Sequence, residues 1–542
     1  MKSKQPIFSL NKKVLLAGIM IAAIFFIAVF SYAEKLTIDR FVSPEVCGDC
    51  HSTIYSQWQN SMHHLSHEDP LYVAVSKYML SGLNDNGEIA ESESCIKCHT
   101  PVGNITGYPE KTSDNRAKVP EIAKKGIQCD YCHSATGADK IYNNGLILSP
   151  GHGEDDPGIK RGPFKDSNSD YHESAFSEFH TDAKICGTCH NVSHVSFATK
   201  LETTYDEWKN GPYNNKDETQ KITCQGCHMY QRPGIPATAS TPRPFNKGRA
   251  ADDGPIRDHI FTHYFTGANT VVPANFNSME KRDMAIERLT NSADILLDTL
   301  ELKKGKLGII ITNSGAGHYL PTGLTDVRQM WLEIVIKDEN NNIVYSSGKL
   351  DKDGYITEGT IIYNTIFGDG KGNPVLNISK AREILKDKRI PPKESAREEI
   401  VFQKKNFEQL SVSVKLLYRS APQKLIDMVL GKGKNVLPVI TMEQIETIFP
   451  ENGKAVKEVF ELSGGDRGSI DFPHEKHEKA VKDCMTCHDM FPKKIGAIFE
   501  MKSNGKLQTK QAMDYCIKCH REMKKTGEKT GPTSCSKCHD KS

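Results

Sequence analysis

Every cysteine of this 542-residue chain belongs to a C-x-x-C pair, and a histidine directly follows each pair. The sixteen cysteines form eight such motifs, and none is left over. If the 20 histidines were placed at random, eight coincidences in eight pairs would have a probability of roughly a few times 10⁻¹². The motifs are Cys47/Cys50/His51, Cys95/Cys98/His99, Cys129/Cys132/His133, Cys186/Cys189/His190, Cys224/Cys227/His228, Cys484/Cys487/His488, Cys516/Cys519/His520 and Cys535/Cys538/His539.

The C-x-x-C-H spacing is that of a covalent c-type haem attachment site. Two thiols one helical turn apart can bond to the two vinyl groups of a porphyrin, and the adjacent histidine then lies under the iron as an axial ligand. A C-x-x-C pair alone would also fit half a zinc site, a redox dithiol or a disulfide, but none of these requires the histidine. We therefore expect eight covalently bound haem c groups, each with its motif histidine as the proximal iron ligand.

Residues 1–33 have the pattern of a secretory signal. "MKSKQPIFSLNKK" is basic, "VLLAGIMIAAIFFIAVF" is an apolar run of 17 residues, and "SYA" resembles a small-residue cleavage site. The run is only slightly short of a membrane span, so an uncleaved anchor stays open. We expect an exported protein, either periplasmic or extracellular at the cell surface, whose membrane contact is limited to this segment.

The charge of the chain argues against a nucleic-acid partner. The formal net charge is +2, but residues 1–33 carry four lysines and no acidic residue, so the remainder holds 66 basic and 68 acidic residues. Each haem would add two propionates, which is about sixteen further negative charges for eight haems. Small redox proteins with basic patches are therefore the expected partners.

The motifs fall into two groups separated by a long stretch without cysteine. Five lie between Cys47 and His228, none in the next 255 residues, and three between Cys484 and His539. The expected fold class is mixed and haem-organised, mainly short helices and loops around five N-terminal and three C-terminal haems, with an intervening β-sandwich. The expected domains are a signal peptide or membrane anchor at 1–33, a pentahaem domain at 41–275, a helix or linker at 278–304, a β-sandwich at 305–425, a linker at 426–465 and a triheme domain at 466–542.

The cysteine-free stretch changes its apolar pattern along its length. Apolar residues first recur at three- and four-residue steps, which predicts a helix with one apolar stripe. The pattern then changes to period two, where "RQMWLEIVIKDENNNIVYSSG" predicts two strands around a polar turn and "QLSVSVKLLYRS" a further strand. We expect a β-sandwich of about 120 residues that serves as a spacer or docking module. The helical stripe is formed by Ile286, Leu289, Ala293, Leu296 and Leu300.

Twelve histidines lie outside the motifs, while eight six-coordinate irons need eight distal ligands. Because the irons need partners, an isolated histidine is a better ligand candidate here than in an ordinary chain. The chain therefore has four more such histidines than the eight irons need. These histidines are His63, His64, His67, His152, His172, His180, His194, His259, His263, His318, His474 and His477.

Residues 41–275 contain several motifs that resemble a known family. "CGDCHSTIYSQWQNSMHHLSH", "FHTDAKICGTCHNVSHVSF", "TTYDEWKNGPY", "CQGCHM" and "HYFTGAN" are similar, in this order, to the multihaem domain of cytochrome c554 and its relatives, including octahaem hydroxylamine oxidoreductases. The resemblance implies bis-histidine haems packed in close pairs. It implies His63, His172, His194 and His263 as distal ligands, with His180 as a further candidate. Three other histidines could each replace a neighbour: His64, His67 and His259.

The stretch "FPHEKHEKAVKDCMTCH" resembles the opening of cytochrome c3 and of triheme c7-like domains. The resemblance implies that His474 ligates the haem held by Cys484 and Cys487, and that His477 reaches a neighbouring haem.

Two ligand questions stay open. After His477 no histidine lies outside a motif, so the remaining C-terminal haem would take a methionine such as Met501 or Met513, a histidine from another region, or no distal ligand. A methionine would raise the potential of that haem relative to bis-histidine neighbours. His318, in the loop "GAGHYLPTG" of the middle region, could bind a haem and lock two regions together, or could be an ordinary loop residue.

The leading interpretation is electron transfer through closely packed, mostly bis-histidine haems. Bis-histidine iron has no vacant position, so it exchanges electrons without binding substrate, and no catalytic residue is predicted. The expected partners are other cytochromes or redox proteins, a membrane quinol oxidase or an extracellular acceptor, and a homo-oligomer stays open.

Two alternatives stay open beside electron transfer. The first is an octahaem oxidoreductase that oxidises hydroxylamine or reduces nitrite or tetrathionate, which needs one open iron and nearby proton donors. Against it, no motif has the C-x-x-C-K form of many nitrite reductases, and the resemblance to hydroxylamine oxidoreductases ends with the first half of the chain. The second is a subunit of an extracellular cytochrome filament, which has the same chemistry in a different assembly.

Overall fold

The structure is a computed structural model, which describes residues 35–299, 301–404, 407–450, 459–462, 470–481, 485–488, 490–491, 498, 501–502, 507–508 and 510–539. The predicted signal or anchor at 1–33 lies outside the described residues. Within the described ranges, no helix is both long enough and apolar enough to cross a membrane.

Short helices carry the five motifs of residues 35–275. The helix at each motif has only four or five residues. Longer helices begin where an aspartate caps the first turn: the Asp69 carboxylate accepts hydrogen bonds from two backbone N–H groups of the next helix, and Asp85 does the same. The helices are Pro44–Gly48, Ser52–Trp58, Pro70–Leu80, Asn86–Ser94, Ile96–His99, Pro101–Thr106, Glu121–Lys124, Cys129–His133, Lys184–Gly187, Thr204–Lys209, Gln225–His228 and Val272–Asn275.

Side chains alone give this region little apolar core. Its buried apolar clusters hold only three or four residues each, for example Phe41, Val102 and Tyr131. The strands are equally short and occur in pairs. They are β1 (Ala135–Ala138) with β2 (Leu146–Leu148), β3 (Ile159–Gly162) with β4 (Glu173–Phe176), and β5 (Val192–Ser193) with β6 (Lys200–Glu202).

The middle region contains two antiparallel sheets. One has the strand order β10-β9-β15-β16, with β11 also pairing with β9, and the other has the order β14-β8-β7. A hairpin of β12 and β13 and the helices Met279–Thr290 and Gln423–Leu430 accompany them. The strands are β7 (Asp294–Asp298), β8 (Lys306–Thr312), β9 (Gln329–Asp338), β10 (Ile343–Ser347), β11 (Ile362–Tyr363), β12 (Thr365–Gly368), β13 (Glu383–Asp387), β14 (Ser395–Val401), β15 (Gln409–Arg419) and β16 (Ile440–Pro450).

Both sheets contribute to one apolar core of 24 buried residues. In β15 the alternation of the sequence is seen directly: Leu410, Val412, Val414 and Leu416 are fully buried, while the residues between them are only half-buried. Side chains of β8 and β9 pack into the same core. The contrast with the small clusters of residues 35–275 shows that this region builds its core from amino acids alone.

Two predicted boundaries of the middle region are wrong. The predicted helix or linker at 278–304 is helical only to Thr290, and Asp294–Asp298 is β7, which pairs with β8. The segment between them, residues 291–293, follows a threonine and contains asparagine and serine, which favour the end of a helix over its continuation. The predicted linker at 426–465 contains β16, whose apolar residues follow one another at steps of one to three residues instead of alternating strictly.

Residues 459–539 contain few described elements. Strands β17 (Val459–Leu462) and β18 (Ile470–Pro473) pair in antiparallel fashion. Phe491 and Leu507 are buried apolar residues of this part of the chain. The helices are His474–Ala480, Met485–His488, Gln511–Lys525 and Cys535–Cys538.

Candidate haem-binding site

A single cavity of about 1270 Å³ connects all five motifs of the N-terminal region. We number these motifs sites 1 to 5 in chain order, and the C-terminal motifs sites 6 to 8. Every cysteine and histidine of C-x-x-C-H at sites 1 to 5 lines this one space. The lining therefore fits the covalent attachment of several haems side by side. The lining motif residues are Cys47, Cys50, His51, Cys95, Cys98, His99, Cys129, Cys132, His133, Cys186, Cys189, His190, Cys224, Cys227 and His228.

Hydrogen bonds fix the tautomer of most motif histidines. At sites 1, 2, 3, 5 and 7 the Nδ1 atom lies 2.6 to 3.0 Å from a backbone carbonyl oxygen. A carbonyl oxygen only accepts, so Nδ1 carries the proton and Nε2 keeps the lone pair that a metal binds. The bonded pairs are His51–Ala250, His99–Ser66, His133–Arg161, His228–Thr266 and His520–Pro532.

Four motif histidines of the cavity have a second histidine ring opposite them. Two metal–nitrogen bonds of about 2.0 Å, extended from each nitrogen to its ring centre, place trans imidazole centres about 6.3 Å apart. The observed ring-centre distances match this spacing. They are His51–His172 at 6.4 Å, His190–His63 at 6.3 Å, His133–His263 at 6.3 Å and His228–His318 at 6.4 Å.

The opposing histidines also have the properties of iron ligands. The Nδ1 atoms of His172, His263 and His318 lie 2.9 to 3.0 Å from backbone carbonyl oxygens, which again leaves Nε2 with the lone pair. Burial lowers the pKa of His63 and of His263 to about 3, so both rings are neutral at physiological pH. His318 belongs to the middle region, so the structure places a ring from that region inside the haem cavity.

His180 occupies a different position from the other candidates. Its ring centre is 5.6 Å from that of His133, shorter than the trans spacing, and its Nε2 lies 2.9 Å from the Cys132 carbonyl oxygen. Since His263 lies opposite the same motif histidine at 6.3 Å, the geometry favours His263 over His180 at site 3.

The structure does not place His194, an expected distal ligand, in the lining of the cavity. His194 is buried outside the lining of the cavity, and its Nε2 donates to the Ser379 carbonyl oxygen at 2.9 Å. Its Nδ1 accepts hydrogen bonds from the backbone N–H groups of Ser196 and Phe197. Both nitrogens thus organise the turn between β5 and β6.

The three alternative histidines also lie outside the lining of the cavity. Nδ1 of His64 accepts from the Asn60 N–H, and Nδ1 of His259 accepts from the Asn246 N–H. Nδ1 of His67 contacts a threonine hydroxyl at 2.6 Å. The structure therefore assigns these rings to local hydrogen bonding.

Site 2 differs from the other four sites. Among the described residues, the ring that contacts His99 is that of Tyr72, with centres 3.8 Å apart and planes within 5°. At this separation the tyrosine stacks on the face of the imidazole, so it supports the ring and does not occupy the trans position. The described part of the chain thus places no histidine opposite His99. The sequence contained no signal for this tyrosine contact.

Comparisons with known proteins agree with these features. A family described as "Cytochrome c554 and c-prime" matches residues 46–134, and the "Class III cytochrome C family" matches residues 450–539. Cytochrome c7 of Geobacter metallireducens is 40% identical over 74 residues, which are 14% of this chain and 67% of that protein. The chain belongs to the multihaem c-type cytochromes. Both resemblances predicted from the sequence are confirmed, and covalently bound haem c follows from the family.

Other relatives of this multihaem cytochrome match a part of its sequence or its fold. The high-molecular-weight cytochrome c of Nitratidesulfovibrio vulgaris is 32% identical over 107 residues, covering 17% of this chain and 20% of that protein. The 26 kDa cytochrome c3 of Desulfomicrobium norvegicum is 26% identical over 109 residues, covering 17% and 95%. The fold resembles the crystal structure of a penta-heme cytochrome c552 from Thermochromatium tepidum, with a TM-score of 0.50 and 17% identity over 76% of this chain and 100% of that one.

Contacts between cysteines show which sites of the cytochrome are neighbours. The Cys47 thiol contacts that of Cys129, which joins sites 1 and 3. The Cys98 thiol contacts that of Cys189, and the Cys186 thiol contacts that of Cys224. Site 4 therefore adjoins both site 2 and site 5.

A buried carboxylate joins the five-motif region of the cytochrome to its middle region. Glu207, on the helix Thr204–Lys209, pairs with Arg389, and both side chains are less than a tenth exposed. Glu207 also accepts hydrogen bonds from the Tyr319 N–H at 3.0 Å and from the Thr322 hydroxyl at 2.7 Å. These contacts hold the loop that contains His318. Glu207 could not be found from sequence, because its partners in the middle region lie more than 100 residues away.

The proximal histidine of site 4 has a carboxylate partner. His190 Nδ1 donates to the Glu202 Oε1 at 3.2 Å. Burial by itself lowers the pKa of His190, but this hydrogen bond and the charge of Glu202 raise it to about 9. Glu202 was also missed from sequence, although a strand that returns directly after a C-x-x-C-H motif was a usable signal.

In the C-terminal part of the cytochrome, His477 lies opposite His520. The ring centres are 5.8 Å apart, and the His477 Nδ1 donates to the Pro473 carbonyl oxygen at 2.9 Å. The side chain of His488 and all of Cys484 lie outside the described residues, so the role of His474 stays a prediction, as do those of Met501 and Met513. The His539 side chain is buried.

The described cysteines of site 7 lie on one longer helix. Cys516 and Cys519 both belong to the 15-residue helix Gln511–Lys525, and both are half-buried. Burial raises the pKa of the Cys516 thiol to about 11, and Cys487 and Cys538 of the neighbouring motifs lie near enough to add to the shift. The structure thus gathers site 7 with sites 6 and 8 through Cys516.

A continuous helix places Cys519 almost one turn after Cys516. Cys484 and the side chain of Cys535 lie outside the described residues. Haem attachment through the cysteines of sites 6 to 8 stays a prediction from the motif.

Proposed function

We propose that this cytochrome is an exported octahaem protein that relays electrons between redox partners through mostly bis-histidine haems. The observation that carries the proposal is the set of opposed histidine rings at sites 1, 3, 4 and 5, whose centres are 6.3 to 6.4 Å apart. Each haem would supply one-electron exchange at an iron without a vacant position. The five connected sites and the sixteen cysteines are consistent with eight haems.

The side chains of the chain hold the sites in a fixed order. The cysteine contacts favour a relay in which site 4 lies between sites 2 and 5. Sites 1 and 3 form a second pair of neighbours. Tyr131 supports the junction, because it is fully buried and its hydroxyl donates to the Asn144 side chain at 2.5 Å. Cys189 contacts the same asparagine oxygen at 3.8 Å. The Asn144 side chain thus links site 3 to site 4.

The middle region, which we interpret as a β-sandwich, would have a ligand function beyond that of a spacer. His318 lies opposite His228 at site 5, so the region would donate the distal ligand of that haem. The opposing histidines at sites 1, 3 and 4 come from the five-motif region itself.

The charge of the cytochrome supports a basic redox partner for residues 34–465. This part holds 50 basic and 57 acidic residues, whereas residues 466–542 hold 16 basic and 11 acidic ones. With two propionates for each of five and three haems, the first part would carry about seventeen net negative charges and the C-terminal part about one, so the first part suits basic redox proteins. A membrane quinol oxidase, an extracellular acceptor and further copies of the chain are the partners that the relay would serve in the periplasm or at the cell surface.

Site 2 supports a second candidate function. Since the described residues place no histidine opposite His99, its iron would have an open or weakly held position. An oxidoreductase that acts on a small nitrogen or sulfur compound would use such a position. Glu91 and Arg328 line the same cavity and could provide charge near a bound substrate.

Low-temperature EPR of the ferric holoprotein tests both functions. For the relay, His318→Ala should convert one haem from low-spin to high-spin, because site 5 loses its distal ligand. His152→Ala is the matched control, because His152 is exposed and should leave the spectrum unchanged. An unaltered spectrum for His318→Ala would refute the ligand assignment.

The wild-type spectrum decides between relay and enzyme. One high-spin signal that changes when hydroxylamine, nitrite or tetrathionate is added would support an enzyme at site 2. Low-spin signals alone would exclude that candidate and leave electron transfer. Mass spectrometry of the same sample should give eight haem additions, and a smaller number would contradict the octahaem proposal.

A further inference from the structure

We propose that Glu202 sets the reduction potential of the haem at site 4 by accepting a hydrogen bond from its proximal ligand. His190 Nδ1 donates to the Glu202 Oε1 at 3.2 Å, and both residues line the haem cavity. The proposal rests on the proposed function, in which site 4 carries a haem with His190 and His63 as its axial ligands. Glu202 is a positioning residue, because it acts on the iron only through His190.

The carboxylate distinguishes site 4 from the other described sites. At sites 1, 2, 3, 5 and 7 the corresponding Nδ1 donates to a backbone carbonyl oxygen, which is neutral. At site 4 the acceptor is instead a side-chain carboxylate, that of Glu202, which is only 14% exposed. A charged acceptor forms a stronger hydrogen bond than a neutral one, and low exposure limits its screening by water.

The local fold places Glu202 beside His190. The chain leaves the motif through β5, turns at residues 194–199 and returns through β6, where Glu202 pairs with Val192. The Tyr205 N–H then donates to the His190 carbonyl oxygen at 3.0 Å, which fixes the return segment against the motif. The buried His194 holds the turn through both of its ring nitrogens. His194 thus supports the hairpin that carries Glu202.

A carboxylate on the far side of the imidazole changes the electron density at the metal. It draws the Nδ1 proton toward itself, so Nε2 becomes a stronger donor, as in the carboxylate–histidine–metal arrangements of other metal sites. A stronger donor and a nearby negative charge both favour ferric over ferrous iron. The haem at site 4 should therefore be harder to reduce than a haem whose proximal histidine faces a carbonyl.

Because site 4 lies between two other sites, a lower reduction potential of its haem affects electron transfer along the relay. Its cysteines contact Cys98 of site 2 and Cys224 of site 5, so electrons moving between those sites pass through it. The step is a one-electron exchange between neighbouring sites, and no proton is gained or lost. Because site 4 is harder to reduce, electrons reside on its neighbours and cross it without accumulating there.

Glu202→Gln tests the proposal in the full-length holoprotein. Glutamine keeps the shape and an acceptor oxygen but removes the charge, so one of the eight redox components should become easier to reduce. We expect a change of about tenfold in its reduction equilibrium constant, which equals about 59 mV for one electron. The measurement is a spectroelectrochemical titration of the haem α-band, with the EPR spectrum recorded in parallel.

Asp206→Asn is the matched control. It removes the same charge four residues away, where the carboxylate pairs with Lys200 at 3.7 Å and contacts no motif histidine that the structure describes. The control should shift the titration much less than Glu202→Gln. Equal shifts in both variants, or an unchanged curve for Glu202→Gln, would overturn the proposal.

Thr204→Val provides a second variant with the opposite expected sign. The Thr204 hydroxyl lies 3.3 Å from the same Glu202 oxygen and 2.8 Å from the Thr322 hydroxyl, so its removal takes a competing donor away from the acceptor of His190. One component should become harder to reduce, by less than the Glu202→Gln shift, and a shift to easier reduction would contradict the mechanism. Haem counting by mass spectrometry distinguishes a failure of the proposed function from a failure of the Glu202 proposal. Fewer than eight haems would refute the proposed function, whereas eight haems without a shift would refute only the role of Glu202.

Discussion

Replacing Glu207 by alanine should release the loop that presents His318 and weaken the contact between the five-motif region and the middle region. The wild-type carboxylate is nearly inaccessible and accepts hydrogen bonds from the Tyr319 N–H and the Thr322 hydroxyl, besides its ion pair with Arg389. All three partners belong to the middle region. The Tyr319 N–H and the Thr322 hydroxyl would lose this acceptor in a place that water does not reach easily.

The expected cost follows from these contacts. Breaking a buried ion pair costs about 3–5 kcal/mol when the remaining charge has no other partner. Here Arg389 keeps Asp387, whose carboxylate lies 2.8 Å from it, which reduces that cost. The Tyr319 N–H left without an acceptor adds about 1–3 kcal/mol. Taken together, Glu207→Ala should lower the free energy of unfolding by about 3 kcal/mol.

The assay combines stability with the state of site 5. Urea unfolding followed by far-ultraviolet circular dichroism should show the loss of stability, and EPR should show a fraction of one haem in the high-spin state, because His318 is no longer held opposite His228. Glu218→Ala is the control, since that carboxylate is 77% exposed and pairs only with Lys221, for a cost below about 0.5 kcal/mol. Wild-type stability together with wild-type spin states in Glu207→Ala would refute the reasoning.

Three further predictions follow from the geometry. His263→Ala should produce one high-spin ferric signal in EPR and His180→Ala none, because only His263 lies at the trans distance from its motif histidine; the reverse pattern would contradict the assignment. Burial raises the pKa of Asp326 to about 6, so its contribution to stability is present below pH about 3.8 and is lost as the pH rises through about 6. Asp326→Asn should therefore raise the urea midpoint at pH 8 and leave it unchanged at pH 3.5, and equal effects at both pH values would contradict the shift. Leu332→Ala should lower the free energy of unfolding by about 3 kcal/mol in the same urea assay with an unchanged haem count, whereas Ile343→Ala, 54% exposed, should cost less than about 0.5 kcal/mol; equal costs would contradict the shared core.

The proximal half of the site could be predicted from sequence because it is local. Each motif histidine follows its cysteine directly, so covalent attachment and axial ligation are fixed within five residues. The distal half is non-local: His172 is 121 residues from His51, and His318 is 90 residues from His228. A count of histidines gives the number of available ligands but not which ring faces which iron. That choice depends on how the loops pack.

The position of His194 has the same physical origin. Its spacing after site 4 resembles that of a ligand, but the side chain turns into the hairpin between β5 and β6 and satisfies both nitrogens there. Nothing in the local sequence separates a ring that points into the cavity from one that points away. At β16 the reason is different, because its apolar residues do not alternate strictly and a bulge shifts the register of its pairing with β15, so no period-two signal marked the strand.

The position of His318 bears on why a multihaem chain carries a large haem-free insert. The middle region has a core of 24 buried residues made from side chains, so its loops do not depend on porphyrin for their shape. Residues 35–275 have only small apolar clusters and do depend on it. A distal ligand donated from the self-supporting region gives site 5 a rigid partner that the five-motif region could not supply by itself. Weakening the core at Leu332 should therefore loosen the ligation at site 5 before global unfolding and leave the ligation at site 1 intact. During a urea titration, the first haem to become high-spin should be the one opposite His318.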